Sequence, residues 1–309
     1  MNIHISDCFF IRSSEYDLNG GVIYVLGDSY SMNVNFSMFY GCTCSYNGGA
    51  IYFSSSSSYL RMICAYRCSC GAPYVGHFAL LSTSQKNHVE YLSVSNSSHN
   101  ASGSYSIYLS SGNQRVDNIN SSMNNAFQVS GICIESPSSF TSSHSTFSNN
   151  KVSDYGCISF SSSSGTISMS YANIVYNNSP TQGIICAYGG QSLKLLMYCI
   201  FQKNQNYLFS VDYGSLEVSH SFIDHSSSFS TSKAVSTESN NSFIMTQTFL
   251  IYHSGELMCK IPSQSNLIWI IFFIAYILIV SLLILLFIYR KSFVIHMNKC
   301  FNGSNNVSP

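Results

Sequence analysis

Two Cys-x-Cys pairs, Cys42/Cys44 and Cys68/Cys70, stand close together in a chain of 309 residues, with Cys64 just ahead of the second. Thiols at such spacing can ligate a metal or oxidise to disulfides. Structural zinc wants cysteines separated by about two to four residues and a matching second pair, which a one-residue gap fits poorly. Disulfides among Cys42, Cys44, Cys64, Cys68 and Cys70 suit an extracellular chain better, and no metal is expected. Cys133, Cys157 and Cys186 fall inside apolar runs and read as buried filler. Cys300 stands alone near the end.

Acid–base chemistry asks for paired carboxylates. Glycoside hydrolysis uses two within about 10 Å, yet the thirteen Asp and Glu residues are scattered. Asp212 and Asp224 are half a repeat apart and fall on different faces. His220, Asp224 and His225, in HSFIDH, form the one dense polar cluster, which reads as a solvated turn. No nucleophile elbow, P-loop or zincin helix occurs. Neither a catalytic residue nor a cofactor is expected. Residues 1–266 hold ten Lys/Arg against thirteen Asp/Glu, so there is no basic footprint for nucleic acid.

What could be modified or anchored is easier to read. Asn-x-Ser/Thr acceptors occur at Asn35, Asn96, Asn100, Asn120, Asn177 and Asn240. Leu267 to Ile288 is an unbroken apolar run without charge, Pro or Gly. At about 1.5 Å per residue it is long enough to cross a hydrocarbon core of roughly 30 Å. Arg290 and Lys291 follow it, which by the positive-inside rule places the tail in the cytoplasm and the body outside. The expected organisation is an ectodomain at 1–255, a linker at 256–266, a transmembrane helix at 267–289 and a cytoplasmic tail at 290–309, at the plasma membrane.

The body that would present these groups is poor in charge, 8% of residues, and rich in aromatics, 14%. Serine supplies 63 residues. Short apolar clusters recur, centred on Ile23, Ile51, Phe78, Ile107, Cys133, Ile158, Ile185, Phe209 and Ala234. The pair GGVIYV at 20–25 and GGAIYF at 48–53 shows the unit most clearly. A second landmark lies some ten residues before a strand: FSNN at 147–150, VYNN at 175–178 and FQKN at 201–204. Serine runs at 53–58 and 160–165 read as turns. Strand-length runs punctuated by Gly, Ser and Asn, with no helical periodicity, predict β structure. A unit of about 25 residues cannot bury its own face and must stack on its neighbours. The predicted fold is all-β, a parallel β-solenoid of about 25–28 residues per coil, with aligned asparagines forming amide ladders at the bends. Strands every 8–12 residues without a shared internal motif would have suggested a β-sandwich instead.

GGAI at 48–51, together with Phe147-x-x-Asn150 and Phe201-x-x-Asn204, resembles the paired repeat motifs of bacterial polymorphic outer-membrane proteins and of the protozoan surface families that share them. The resemblance implies a right-handed parallel β-helix and a role in adhesion. A helical span with a basic tail in place of an outer-membrane barrel resembles the protozoan form. The expected function is adhesion or surface display, with a glycan or protein as extracellular ligand. The alternatives are a membrane-tethered carbohydrate-active enzyme and a truncated, inactive family member. MNIHISDCFFIRSSEYD contains no secretory leader pattern. Cys8-Phe9-Phe10 resembles the later Cys199-Ile200-Phe201, so the written start reads as the second part of a coil and not as a natural domain start.

Overall fold

Each strand in the body is too short to fold alone, and the pairing shows how the chain solves this. The computed structural model describes residues 1–224 except 72, 98–102, 162–164, 190–192 and 213–214, then the backbone of Val235–Thr237 and residues 276, 277, 280 and 281. Two compact units divide at Cys259/Lys260. In the first, every strand pairing among the described residues is parallel and joins a strand to its counterpart about one coil later, as in Ile132↔Ile158 and Ile158↔Ile185. The result is a parallel β-solenoid. All-parallel pairing excludes a sandwich.

Three faces enclose the core. The first runs from Asn2–Ser6 through 31–35, 57–61, 86–90, Asn113–Asp117, Ser139–Ser143, Ile167–Ser170 and Leu193–Met197 to Ser215–Ser219. The second runs from Phe9–Ile11 to Phe222–Ile223, and the third from Ile23–Leu26 to 209–212. Coils are numbered here from each first-face strand, so 31–54 is the second coil and 57–82 the third. Inward side chains alternate along each strand, and Val34, Phe53, Leu60, Phe140, Ile158, Phe160 and Phe201 are fully buried in one continuous core. Such burial contributes about 25 cal/mol per Å² of apolar area.

The glycine pair has two separate tasks. Gly48 turns the chain into the strand with φ of 69°, a region open to glycine at little cost. Gly49 has no such φ, but a Cβ there would lie 2.1 Å from the His77 carbonyl oxygen of the next coil. One glycine makes the bend; the other lets two backbones touch.

Register corrects several landmarks. The third-face column is Ile23, Ile51, Ala79, Ile107, Ile132, Ile158, Ile185 and Phe209. Phe78 and Cys133 are therefore each one residue off. Phe78 is buried just before its strand, edge-on to Phe39 at 5.7 Å, and Cys133 follows Ile132 in the strand. In both cases residue type outweighed register. Ala234 lies outside the described residues. The serine run at 53–58 is not a turn either. It continues the strand Ile51–Tyr66 across a register shift between Ser55 and Ser57. Ser55 hydrogen-bonds the backbone of Tyr30, and Ser58 donates to Asn87 within the interior. Hydroxyls that are satisfied from coil to coil can follow a bent strand where larger side chains would collide.

The Asn ladder forms as expected, one register away from part of its motif. Asn124, Asn150, Asn177 and Asn204 are buried in successive coils. Each side-chain oxygen from Asn150 onward accepts the backbone N–H of the asparagine one coil earlier, at 3.0, 3.0 and 2.9 Å. Their Nδ2 groups donate to the carbonyls of Ser121, Phe147 and Ile174 at 2.8, 2.9 and 2.6 Å. Phe147 pairs with Ile174, and Ile174 with Phe201. The middle motif is therefore Ile174-x-x-Asn177, not a motif that begins at Val175.

The start of the chain fits the predicted register. Phe9 connects through Met38, Cys64, Ser93, Asn120, Thr146 and Asn173 to Ile200, so Cys8-Phe9-Phe10 does occupy the place of Cys199-Ile200-Phe201. In the second unit, the predicted span at 267–289 lies outside the described residues apart from helical positions 276, 277, 280 and 281. Among the described residues no helix is long and apolar enough to cross a membrane.

Candidate ligand-binding face

Stacking coils turns residues distant in sequence into neighbours, and on the first face this assembles a charged patch. Tyr59, His88, Arg115 and Thr141 form one outward column; Arg61, Glu90, Asp117 and Ser143 form the column beside it. Lys86 lies exposed at the start of the same face. Three cations thus stand with two carboxylates on three successive coils of a chain that is otherwise mostly uncharged.

The contacts are specific. The Tyr59 hydroxyl donates to Glu90 Oε2 at 3.0 Å, and Arg61 Nε lies 3.9 Å from the same oxygen. Arg115 Nε donates to Asp117 Oδ2 at 2.7 Å, while Ser143 donates to Asp117 Oδ1 at 2.7 Å. The Tyr59 and His88 rings are 4.9 Å apart. Partial burial and the Arg115 charge push the His88 pKa down. Partial burial, with the Glu90 carboxylate beside it, pushes the Tyr59 pKa up. Asp117 holds the Arg115 guanidinium more firmly protonated still.

Chemically, this patch offers forks, hydroxyls and a ring. Arg115 spends Nε on Asp117, and its side chain is 64% exposed, which leaves the guanidinium accessible to a further acceptor. A guanidinium held this way by a carboxylate is preorganised for bidentate contact with an anion or a row of hydroxyls.

Sequence proximity did not reveal this site. Glu90 and Asp117 are 27 residues apart but pair in register. Their separation equals one coil, and that was the available signal: acids spaced by the repeat are neighbours. The residues singled out from sequence are placed elsewhere. His220 packs tilted against Tyr198 with ring centroids 5.1 Å apart, and Asp224 accepts the backbone N–H of Lys203. Asp212 ends a third-face strand while Asp224 follows a second-face strand, so they fall on different faces. His225 lies outside the described residues.

The cysteine and sequon positions are equally defined. Cys42, Cys44, Cys68 and Cys70 carry free, buried thiols. Cys64 sits on the second face opposite Met38 and Ser93. Cys133, Cys157 and Cys186 are buried, and burial pushes the first two thiols up to about 12 and the third to about 11. Asn35 and Asn96 are partly exposed, and Asn120 is 8% exposed. Asn177 is fully buried with its Nδ2 committed to Phe147 in the ladder, which leaves a glycosyl transferase no access to it once the coil has closed. Asn100 and Asn240 lie outside the described residues. Among the described residues no cluster of three His, Cys, Asp or Glu is arranged to hold a metal.

A second surface feature follows from the bends. The one-residue corner between first and second faces is left-handed in every coil: Asp7, Phe36, Met62, Tyr91, Asn118, His144, Tyr171, Tyr198 and His220 all have φ near 50°. Each non-glycine residue there costs about 1–2 kcal/mol. The cost is offset by backbone bonds to the next coil, such as Tyr171 N–H to Met197 O at 3.0 Å. His144, Tyr171 and Tyr198 stack ring on ring at 5.0–5.1 Å, and His220 continues the row, tilted, 5.1 Å from Tyr198. The result is an exposed aromatic ridge beside the charged face.

Comparison with known proteins adds no label: no family model, no curated protein and no solved structure matches this chain.

Proposed function

We propose that this chain is a membrane-anchored surface protein whose solenoid makes adhesive contacts with glycans or proteins through the first-face patch. The observation that carries the reading is the convergence of Tyr59, Arg61, Lys86, His88, Glu90, Arg115 and Asp117 on three coils of a charge-poor, serine-rich solenoid. Repetition along the axis lets weak contacts add by avidity. The apolar run at 267–288 and the cations after it support a single span, an external solenoid and a cytoplasmic tail. The GGAI and Phe-x-x-Asn elements, and the ladder they build, support kinship with the polymorphic outer-membrane-protein-like surface families and a right-handed coil, which parallel crossovers strongly favour.

A second reading rests on one specific observation. Glu90 and Asp117, in register on adjacent coils, are the kind of carboxylate pair a glycoside hydrolase needs. Binding of the full-length chain, in detergent micelles or displayed on cells, to a glycan array and to cell surfaces separates the two. The adhesive reading expects retention that falls on Arg61→Ser/Arg115→Ser substitution, with no new reducing ends released. Retention unchanged by that substitution counts against this patch. Sugar release abolished by Glu90→Gln or Asp117→Asn would replace the adhesive reading with the enzymatic one.

A further inference from the structure

Stacking also brings the two Cys-x-Cys pairs into contact. Thr43–Cys44 pairs in parallel with Ser69–Cys70, so Cys44 lies opposite Cys70 and Cys42 opposite Cys68. The backbone bonds fix this match on both sides: Ser69 N–H donates to Cys42 O at 3.0 Å, and Gly71 N–H to Cys44 O at 3.1 Å. Cysteines two apart on one strand point the same way, so the four thiols form two aligned pairs on one side of the ladder. All four are buried. Paired strands lie about 4.8 Å apart, inside the Cα separation of about 4.4–6.8 Å that a disulfide spans.

The thiols already interact. The neighbouring Cys68 holds the Cys42 pKa below the ordinary thiol value, while burial, with Cys42 adding to it, raises that of Cys68. The Cys44 and Cys70 thiols are also close enough to influence each other, with burial the larger effect on Cys70. The first coil places Ser13 and Glu15 in these two columns. The short sheet of Ser14–Glu15, Thr43–Cys44 and Ser69–Cys70 ends with the second pair.

We propose that Cys42–Cys68 and Cys44–Cys70 are the sites of two parallel disulfides that staple the second coil to the third. Of the pairings open to these four thiols, register allows this one and disfavours the diagonals Cys42–Cys70 and Cys44–Cys68. Each closure consumes one molecule of a disulfide oxidant, for which oxidised glutathione serves. One thiolate attacks a glutathione sulfur, breaking its S–S bond and releasing one glutathione thiolate. The facing thiolate then attacks the mixed disulfide, forms the protein S–S bond and releases the second. Two protons and two electrons leave the protein, and the oxidant is reduced to two thiols. Burial requires that this happen as the coils close, and the linkage does not depend on what the first face binds.

The test refolds full-length chain in detergent from reducing urea into a glutathione redox buffer, blocks free thiols, digests without reduction and reads linked peptides by mass spectrometry. Cys42→Ser/Cys68→Ser is expected to retain the Cys44–Cys70 link, and Cys44→Ser/Cys70→Ser the Cys42–Cys68 link. Cys42→Ser/Cys70→Ser, which leaves a diagonal, is expected to give no Cys44–Cys68 link. A diagonal link as abundant as the matched ones overturns the pairing. Absence of both matched links in folded chains, judged by circular dichroism, overturns the disulfides. Should the variants not fold, wild type decides by its linked peptides: a peptide carrying Cys42 and Cys44 joined to one carrying Cys68 and Cys70 supports the staples, and absence of that link from folded chains rejects them.

Discussion

Replacing Asn150 with Ala removes one rung from the middle of the amide ladder while leaving the backbone path intact. The buried Asn124 N–H, bonded at 3.0 Å, then loses its partner, and the Ser121 carbonyl, bonded at 2.8 Å, is left with its ladder bond alone. An orphaned buried donor costs about 1–3 kcal/mol and a lost hydrogen bond about 1 kcal/mol, so the two together cost about 3 kcal/mol, with a small cavity term in addition. Against a typical domain stability of about 5–15 kcal/mol that is a large fraction. The adjacent Asn149 is the control. It is exposed, sits at φ of 54°, and its replacement by Ala should cost about 1 kcal/mol through the left-handed backbone alone. Urea unfolding of the full-length chain in micelles, followed by far-ultraviolet circular dichroism, measures both. A cost for Asn150→Ala that matches that of Asn149→Ala would refute the claim that side-chain amides hold the coils together.

Three further expectations use other parts of the fold. His77 is buried, accepts the Cys70 N–H on Nδ1 and donates from Nε2 to the Gly103 carbonyl, and burial depresses its pKa to about 4. Because the unfolded chain gains a proton below pH 6.5 that the folded one refuses, the stability this group contributes is complete above about 6.5. It is lost as pH falls to about 4, in all about 3 kcal/mol, and His77→Gln should flatten that part of the unfolding midpoint against pH. Ile158→Asp, in the fully buried third-face column, should cost several kcal/mol, whereas Ser57→Ala, whose hydroxyl makes one exposed contact, should stay within about 0.5 kcal/mol; similar unfolding midpoints for the two would contradict the register. Protease added to intact cells should remove an epitope at the N-terminus and spare one at the C-terminus, and the opposite pattern would reverse the proposed orientation.

The architecture was legible because it is written in repetition. The spacing of GGVIYV and GGAIYF, and the asparagines at 150 and 204, carry the coil length directly. What repetition does not carry is phase. Phe78 drew the alignment toward a large apolar residue and the Asn177-Asn178 pair drew it to Val175, while Ala79 and Ile174 hold the true positions. Serine composition likewise suggested a turn at 53–58, because propensity describes a residue's average setting and not one where a neighbouring coil supplies its hydrogen bonds. The charged face was hidden for a related reason. Glu90 and Asp117 look isolated along the chain, and they meet only when the sequence is folded at its own period.

That same phase rule governs how such a chain can change over generations. A side chain here answers to the residues one coil before and one coil after it, such as Ile132 and Ile185 around Ile158, and hardly to the rest of the molecule. Copying or excising one whole period therefore returns every column to a matching neighbour, and only the reach of the molecule changes. Gain or loss of any other length must be absorbed in a loop or it throws all later columns out of step. Third-face columns already step by between 24 and 28 residues, so the connecting loops do absorb small differences. Unequal recombination between repeats is thus a permitted route to longer and shorter relatives with the same cross-section, whereas frame-preserving insertions within a strand are not.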